Sequence, residues 1–382
     1  MGAVSALVYI LIILIFIPFP FYKDIVAATS GGGNRDVVLP TSHVETGRFL
    51  HRFPHSKLAS YLSSILSLQC TILLGLFDDL FDIRWRHKLL IPAFASIPML
   101  IVYFVDFGVT SVVVPLPLQP LLQGRELLDL GWLYYAYMSA ITIFCPNSIN
   151  ILAGINGIEV GQSLVVALLL VLNDLLYLLP PAPADSPATD PHLFSLYLLL
   201  PFVGVSAALL AHNWWPARVF VGDTYCYFAG MVFAVVGILG HFSKTLLLLF
   251  VPQVVNFVYS APQLFGLVPC PRHRLPHFNA RTGLLEPSVA KVQEGKELKW
   301  WVEMALRMLA RVGLVRLSEE NGTLTHVSNL TLLNLWLVWW GPMREDRLAM
   351  GVLAMQTIVG LIGLVVRHRL ALLVFREDNL MI

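Results

Sequence analysis

Residues 59–88 read ASYLSSILSLQCTILLGLFDDLFDIRWRHK. The first part, 59–77, carries no charge, and it is close to the roughly 20 residues that an α-helix needs to cross a bilayer core. At residue 78 the character changes: Asp78, Asp79, Asp82, Arg84, Arg86 and Lys88 follow in quick succession. Charges gathered at the end of an apolar run, with none inside it, describe a membrane helix that opens onto a polar edge.

The same alternation runs through all 382 residues. Apolar runs occur near 3–21, 59–77, 89–105, 130–146, 161–180, 193–211, 224–241, 246–266 and 347–366. The chain is 57% hydrophobic and 13% charged, against about 25% charged in ordinary soluble domains, and its mean hydropathy is +0.73. The expected fold is an all-α polytopic membrane protein of about nine transmembrane helices, with membrane lipid around it. The first run lacks the charged start and small-residue cleavage site of a signal peptide, so it reads as a span. Pro92, Pro98, Pro252 and Pro262 interrupt apolar runs and are expected to kink them. A net charge of +1 gives no basic field, which excludes nucleic acid as a partner. The four cysteines form no CxxC pair or disulfide framework.

The connections differ in kind. Residues 181–192 are Pro-rich and lack lysine and arginine, as befits an inert turn. Residues 267–346 are polar and long enough for a small extramembrane subdomain, which divides the chain into 1–266, 267–346 and 347–382. Within that subdomain 298–314 is amphipathic. Residues 331–341 are too short to span and are expected to lie along the interface with their tryptophans at headgroup depth.

With nine spans, the connections after spans 2, 4, 6 and 8 share one side. That side holds 75–88, 147–159, 212–224 and 269–279, and the larger share of lysine and arginine, so the positive-inside rule makes it cytosolic. Asn321-Gly-Thr and Asn329-Leu-Thr fit the glycosylation pattern, but parity puts both on this side, and neither is expected to be modified.

Adjacent acids such as Asp78 and Asp79 at a membrane edge need a water-filled site or a cation. Asp82 shares their helix face, and Lys88 supplies a positive charge close by. Taken singly, Lys88, Arg84, Arg86 and Trp85 serve equally well as membrane-edge anchors. In 147–159, Asn150 and Asn156 flank Gly154, where backbone can approach a ligand. Asp223 stands at the mouth of a span, either solvated or holding a metal. His212 and Asn213 read as interfacial residues without chemistry. Arg272, His273 and Arg274 bring two guanidinium groups suited to phosphate or sugar oxygens. Cys270 and His273 have CxxH spacing without the further ligands that zinc requires. Carboxylates, amides, a lysine and an arginine pair at one edge suit a divalent cation bridging a diphosphate, with Mg²⁺ taking one or two protein oxygens and the rest from phosphate and water. The chain has no Walker A or GxGxxG sequence, which argues against an ATP-driven pump or a Rossmann enzyme.

Four stretches, LGLFDDLFDIRWRHKLLIP (74–92), NSINILAGINGIEVGQS (147–163), HNWWPARVFVGDTYCYFAGMVFAVVGILGHFSKT (212–245) and PQVVNFVYSAPQLFGLVPCPRHRLPHFN (252–279), resemble the polyprenyl-phosphate N-acetylhexosamine-1-phosphate transferases. Bacterial members carry a histidine-rich motif in the last polar loop, whereas the Pro-Arg-His-Arg here is similar to the eukaryotic, dolichyl-phosphate-using branch. The resemblance implies that Asp78, Asp79 and Asp82 form the acidic motif. It makes Asn150 and Asp223 the Mg²⁺ ligands and Lys88 a phosphate contact. Asn156 and Phe220 would hold uracil with Gly154 lining that pocket, and Trp85 would stand at the lipid entrance. Arg272, His273 and Arg274 would recognise N-acetylglucosamine and the diphosphate. The implied substrates are UDP-GlcNAc and dolichyl phosphate, the implied place is the endoplasmic reticulum membrane with the site facing the cytosol, and a second copy of the chain is a candidate partner in a homodimer.

Members of this family begin with a further helix and a polar loop, so nine spans are one short of their ten, and the resemblance implies a donor pocket lacking part of its uridine side. Residues 22–57 have no counterpart in it. Two alternatives accompany the transferase reading: a catalytically impaired homologue that retains the motifs, and a transporter. A transporter would place polar residues near mid-span, whereas these cluster at span ends.

Overall fold

The computed structural model describes residues 1–22, 54–81, 83, 88–179, 189–271, 274–292, 298–320 and 323–375. All nine apolar runs contain helix. They give α1 (Gly2–Phe16), α2 (His55–Phe81), α3 (Ile91–Ala95) with α4 (Ile97–Asp106), α5 (Trp132–Ile151), α6 (Ile158–Leu178), α7 (Thr189–Asn213), α8 (Asp223–Leu239), and α9 (Ser243–Leu249) with α10 (Val251–Leu264). The last run lies in a helix starting at Glu345, described below. Three of the four prolines fall in first turns, Pro92 in α3, Pro98 in α4 directly after Ser96 and Pro252 in α10, whereas Pro262 lies inside α10, which continues to Leu264. Among the described residues four helices suffice by length and composition to cross a membrane, namely α2, α6, α7 and Glu345–Val374, and the α9–α10 pair, bent by 67°, makes a fifth if it is counted as one span.

The core is built around α8. Every residue from Thr224 to Leu239 is buried, as a helix that is apolar all round requires. Helices α1, α2, α5 and α7 pack on it. Two glycines permit the closest crossings. A Cβ on Gly75 of α2 would lie 2.6 Å from Thr224 Cα, and one on Gly230 would lie 2.2 Å from the Pro146 nitrogen of α5. These crossings set the C-terminal ends of α2 and α5 beside the N-terminal end of α8, where the polar residues stand.

Residues 267–344 contain short strands that apolar periodicity does not reveal, since most are three residues long. A hairpin before the first of these, β1 (Ser111–Val113) with β2 (Leu127–Asp129), lies between α4 and α5. In the later segment β3 (His277–Asn279) pairs with β4 (Leu284–Glu286). A second sheet has the order β5-β7-β6, with β5 at Val289–Lys291, β6 at Leu317–Glu320 and β7 at Thr323–Ser328. Helix α11 (Trp300–Arg311) packs Val302 and Leu306 against this sheet, in a small core with Val315, Val327 and Leu330. Helix α12 (Leu332–Trp340) then leads to α13 (Glu345–Val365). Residues 331–341 form a short helix, as their length requires, and Leu332, Leu333, Leu335 and Leu337 are buried against Leu152, Ile155 and Ile158, together with Leu348 and Val352 of α13. The leucines of α12 serve the protein core, and the exposed tryptophans are Trp339 and Trp340 at its end. The same packing docks the segment on the helix bundle beside the polar cluster.

Asn329 is buried, with its Nδ2 donating to Ser288 Oγ at 2.8 Å and its Oδ1 accepting from Gln263 Nε2 at 2.9 Å. In the folded chain this amide is committed to internal bonds. Asn321 lies outside the described residues.

Candidate active site at the ends of three helices

Lys88 is the hub of the cluster. Its Nζ donates to Asp78 Oδ2 at 2.8 Å and to Asp223 Oδ2 at 3.2 Å, joining the end of α2 to the start of α8. The other oxygen of Asp223, Oδ1, accepts from Asn150 Nδ2 at 2.8 Å, which brings in the end of α5. Burial alone would lower the Lys88 pKa, but the Asp78 and Asp223 carboxylates outweigh it and raise that pKa above the usual lysine range. Lys88 is therefore a fixed positive charge at neutral pH. Asp78 is buried, while Asp223 keeps about a third of its side chain accessible, at 37%.

Asp79 points elsewhere. Its Oδ1 accepts from the Asp223 backbone N–H at 2.6 Å, and its Oδ2 accepts from the Thr224 N–H at 3.2 Å and from the Thr224 hydroxyl. It thus satisfies the open amides of α8's first turn with a charge that the helix dipole favours. Gly222 makes room for it: φ is +81°, and a Cβ there would lie 2.7 Å from Asp79 Oδ2. The two acids, alike in sequence, have different partners.

The loop after α5 is held by carboxylates and an amide from three other elements. Gly154 N–H donates to Glu159 Oε1 at 2.9 Å, Asn156 N–H to Glu345 Oε1 at 2.6 Å, and Gly157 N–H to Asn213 Oδ1 at 3.1 Å. Asn213 also donates from Nδ2 to Val219 O at 3.0 Å, tying this loop to the one that leads into Asp223. Arg344, next to Glu345, lies over the Trp215 ring at 4.7 Å. Gly154 has φ +106°, and the Leu275 side chain occupies the space a Cβ would need. So the segment after α10 is laid directly on the Asn156 loop.

Of the residues expected at the site, Asp78, Asp79, Lys88, Asn150 and Asp223 come together. Gly154 and Asn156 lie on the adjoining loop. Arg274 is half-buried, with its carbonyl accepting from Asn334 Nδ2 at 2.9 Å. Its Nη1 is buried without a hydrogen-bond partner among the described residues, and burial pulls its pKa below the ordinary arginine value. A buried guanidinium nitrogen left unpaired is suited to an incoming anion. Phe220 is 83% exposed, in the loop that ends at Asp223. Asp82, Trp85, Arg272 and His273 lie outside the described residues.

Sequence reasoning missed Glu345, Glu159 and the part played by Asn213. Glu159 falls within the INGIE stretch and could have been suspected there. Asn213 was discounted as interfacial, yet it is buried and bonds to two loops. Nothing local marks Glu345, 189 residues from the amide it holds.

Asn150 and Asp223 offer hard oxygen ligands, and Asp223 is open enough to reach a ligand. Among the described residues no group of three or more His, Cys, Asp or Glu is placed to hold a metal. A cation at this edge would take two oxygens from protein, the pattern Mg²⁺ tolerates when phosphates and water fill its remaining positions. The donor set fits that ion.

Helices that span a membrane and meet at one charged edge are matched by comparison with known proteins. Residues 61–241, from α2 to just past α8, match glycosyl transferase family 4. The chain is 55% identical over 380 residues to the UDP-N-acetylglucosamine–dolichyl-phosphate N-acetylglucosaminephosphotransferase of Saccharomyces cerevisiae, covering 99% of this chain and 83% of that protein. The protein of that name from Schizosaccharomyces pombe is 52% identical over 383 residues, covering 100% of this chain and 84% of the relative. The one from Dictyostelium discoideum is 42% identical over 331 residues, 83% of this chain and 71% of the relative. The chain belongs to the family of UDP-N-acetylglucosamine–dolichyl-phosphate N-acetylglucosaminephosphotransferases.

Proposed function

We propose that this protein transfers N-acetylglucosamine-1-phosphate from UDP-GlcNAc to dolichyl phosphate, giving GlcNAc-diphosphate-dolichol and UMP, at the cytosolic face of the endoplasmic reticulum membrane. Membership of the family supports the substrates. The observation that carries the chemistry is Lys88 joining Asp78 to Asp223, with Asn150 on the second oxygen of Asp223.

The acceptor needs little activation. A phosphate monoester loses its second proton near pH 6, so dolichyl phosphate is largely dianionic at pH 7. An acceptor phosphate oxygen bonds to the sugar-bearing phosphorus, and the bond from that phosphorus to the bridging oxygen breaks, the oxygen and its electron pair leaving on UMP. The obstacle is repulsion between two anions. Lys88 stands where it offsets that charge, and the unpaired Arg274 nitrogen offers a second positive contact. Asn150 and Asp223 would hold Mg²⁺, which when bound neutralises diphosphate charge. Asp79 sets the position of Asp223, and Asp78 holds Lys88 in place. The Asn156 loop, pinned by Glu345 and Asn213, forms the wall for the nucleotide.

The test is conversion of UDP-GlcNAc and dolichyl phosphate by the purified full chain with and without Mg²⁺, with UMP and the lipid product identified by mass spectrometry. Asp223→Ala and Asn150→Ala should each lower turnover about 100-fold, the scale of removing one fixed electrostatic contact, while the protein stays folded. Wild-type protein that forms no lipid-linked product would refute the reading, and either variant at near-normal rate would remove that residue from the metal site.

A further inference from the structure

Helix α11 has two apolar faces. One, with Val302 and Leu306, is buried in the small core beneath the sheet. The other consists of Trp300, Met304 and Met308, continued by Val312 just past the helix end and flanked by Trp301, and all of it is exposed. Spacing of four residues makes this one stripe, with Trp300 73% and Val312 74% exposed. The polar side is satisfied separately: Arg307 pairs with Glu303 at 2.8 Å and with Glu319 at 3.0 Å. A helix that has already buried one apolar face in its own domain does not gain by showing a second to water.

The position of α11 indicates what covers that stripe. Directly after the helix, the Gly313 carbonyl accepts from Trp339 Nε1 at 2.9 Å, and the Leu314 carbonyl accepts from the Tyr259 hydroxyl. Tyr259 belongs to α10, the second limb of the bent membrane pair, and Trp339 lies six residues before Glu345, where a membrane-crossing helix begins. The end of α11 is therefore tied to α10 of the bent membrane pair and to the end of α12, the element that leads into the membrane-crossing helix at Glu345. Trp339 and Trp340 are themselves exposed, and they extend the aromatic surface. At the start of the helix, Lys299 stands 5.9 Å from the centroid of the Trp301 ring, a cation beside an aromatic ring at the end of the stripe. Tryptophan and flanking lysine are the residues that favour the headgroup boundary.

We propose that α11 lies in the plane of the bilayer interface, with its Trp300–Val312 stripe set into the headgroup–acyl boundary of the leaflet bordering the active site, and that phospholipid is its occupant. The segment that lays Leu275 on Gly154 is thereby held at the membrane surface, the plane at which a lipid-borne phosphate arrives.

The full chain is reconstituted in nanodiscs of phosphatidylcholine and phosphatidylserine, with Cys270, the exposed thiol among the four cysteines, changed by Cys270→Ser. A nitroxide is attached at Met304→Cys and, separately, at Val312→Cys, with Thr282→Cys in the exposed β3–β4 turn as the water-facing control. Electron paramagnetic resonance should show labels 304 and 312 relaxed by oxygen and shielded from a water-soluble nickel chelate, with the opposite ranking at 282. Ready access of the nickel chelate to 304 and 312 would overturn the proposal by placing the stripe in water. Shielding from both reagents would overturn it by placing protein, a second copy included, over the stripe. If Met304→Cys does not fold, label 312 decides by the same criteria.

Discussion

Asp79 receives the backbone N–H of Asp223 at 2.6 Å, so one carboxylate holds the main chain of the residue whose own carboxylate meets Lys88 and Asn150. The second acid of the Asp-Asp pair thus acts through Asp223, the last member of the cluster in sequence, and its neighbour Asp78 acts through the lysine.

The pair should separate by measurement. Asp79→Ala removes a helix cap, which typically costs about 1 kcal/mol, and lets Asp223 drift, so thermal stability and turnover should fall together. Asp79→Asn keeps an amide oxygen for the Asp223 N–H and should recover much of the stability. Asp78→Asn should lower turnover with a smaller fall in melting temperature than Asp79→Ala. Equal melting temperatures for Asp78→Asn and Asp79→Ala would contradict the division.

Glu345 holds the Asn156 N–H at 2.6 Å, and under the proposed function it positions the loop that faces the nucleotide. A hydrogen bond to a charged group is worth about 1.5–3 kcal/mol, so Glu345→Ala should raise KM for UDP-GlcNAc roughly 10-fold or more with kcat little changed. Glu345→Gln, which retains an acceptor oxygen, should return KM most of the way. A fall in kcat at constant KM would show that Glu345 acts on chemistry instead.

Arg274 has a buried nitrogen without a partner among the described residues and a place next to Leu275, which lies on Gly154 of the Asn156 loop. Arg274→Ala should weaken UDP-GlcNAc binding about 10-fold or more, as expected for loss of a charged hydrogen bond, and weaken UMP binding less, because UMP lacks the sugar-bearing phosphate. Equal losses for both ligands, measured by calorimetry, would reassign the guanidinium to the uridine end.

Gly75 lets α2 cross α8 so closely that a Cβ there would lie 2.6 Å from Thr224 Cα. Gly75→Val should destabilise the protein by roughly 1–3 kcal/mol, the range for overpacking. It should also move Asp78 and Asp79 away from Asp223 and so reduce activity beyond the loss of folded protein. Full specific activity in the folded fraction would show that the crossing does not set the site.

Much of this site is legible before folding because membranes sort charge. Asp78, Asp79, Lys88, Asn150 and Asp223 fall at the ends of apolar runs, and counting passes puts those ends on one side. That reasoning stops at orientation. Asp78 and Asp79 are adjacent and chemically identical in sequence, and their division of labour appears only when α8 presents its free amides to one of them. Glu345 is illegible for a different reason: its partner is a backbone N–H, which any residue at 156 would carry. The strands after α10 escape notice because three residues are too few to show an alternating pattern. For α12, the sequence marks a short apolar helix with tryptophans but does not tell that its leucines pack on Leu152, Ile155 and Ile158, since apolar side chains look alike whether lipid or protein covers them.

Helix α8 has seventeen residues, about 25 Å at 1.5 Å per residue, against a hydrocarbon core of about 30 Å. Sheathed by its neighbours from Thr224 to Leu239, it has no lipid boundary to match. A bilayer that thins or thickens by a few ångströms presses on the outer helices, which can tilt, while the depth of Asp223 is fixed from within, by Gly75, Gly230 and the cap from Asp79. The reactive edge therefore keeps its own level, as a bearing does inside a flexing frame, in membranes of differing thickness.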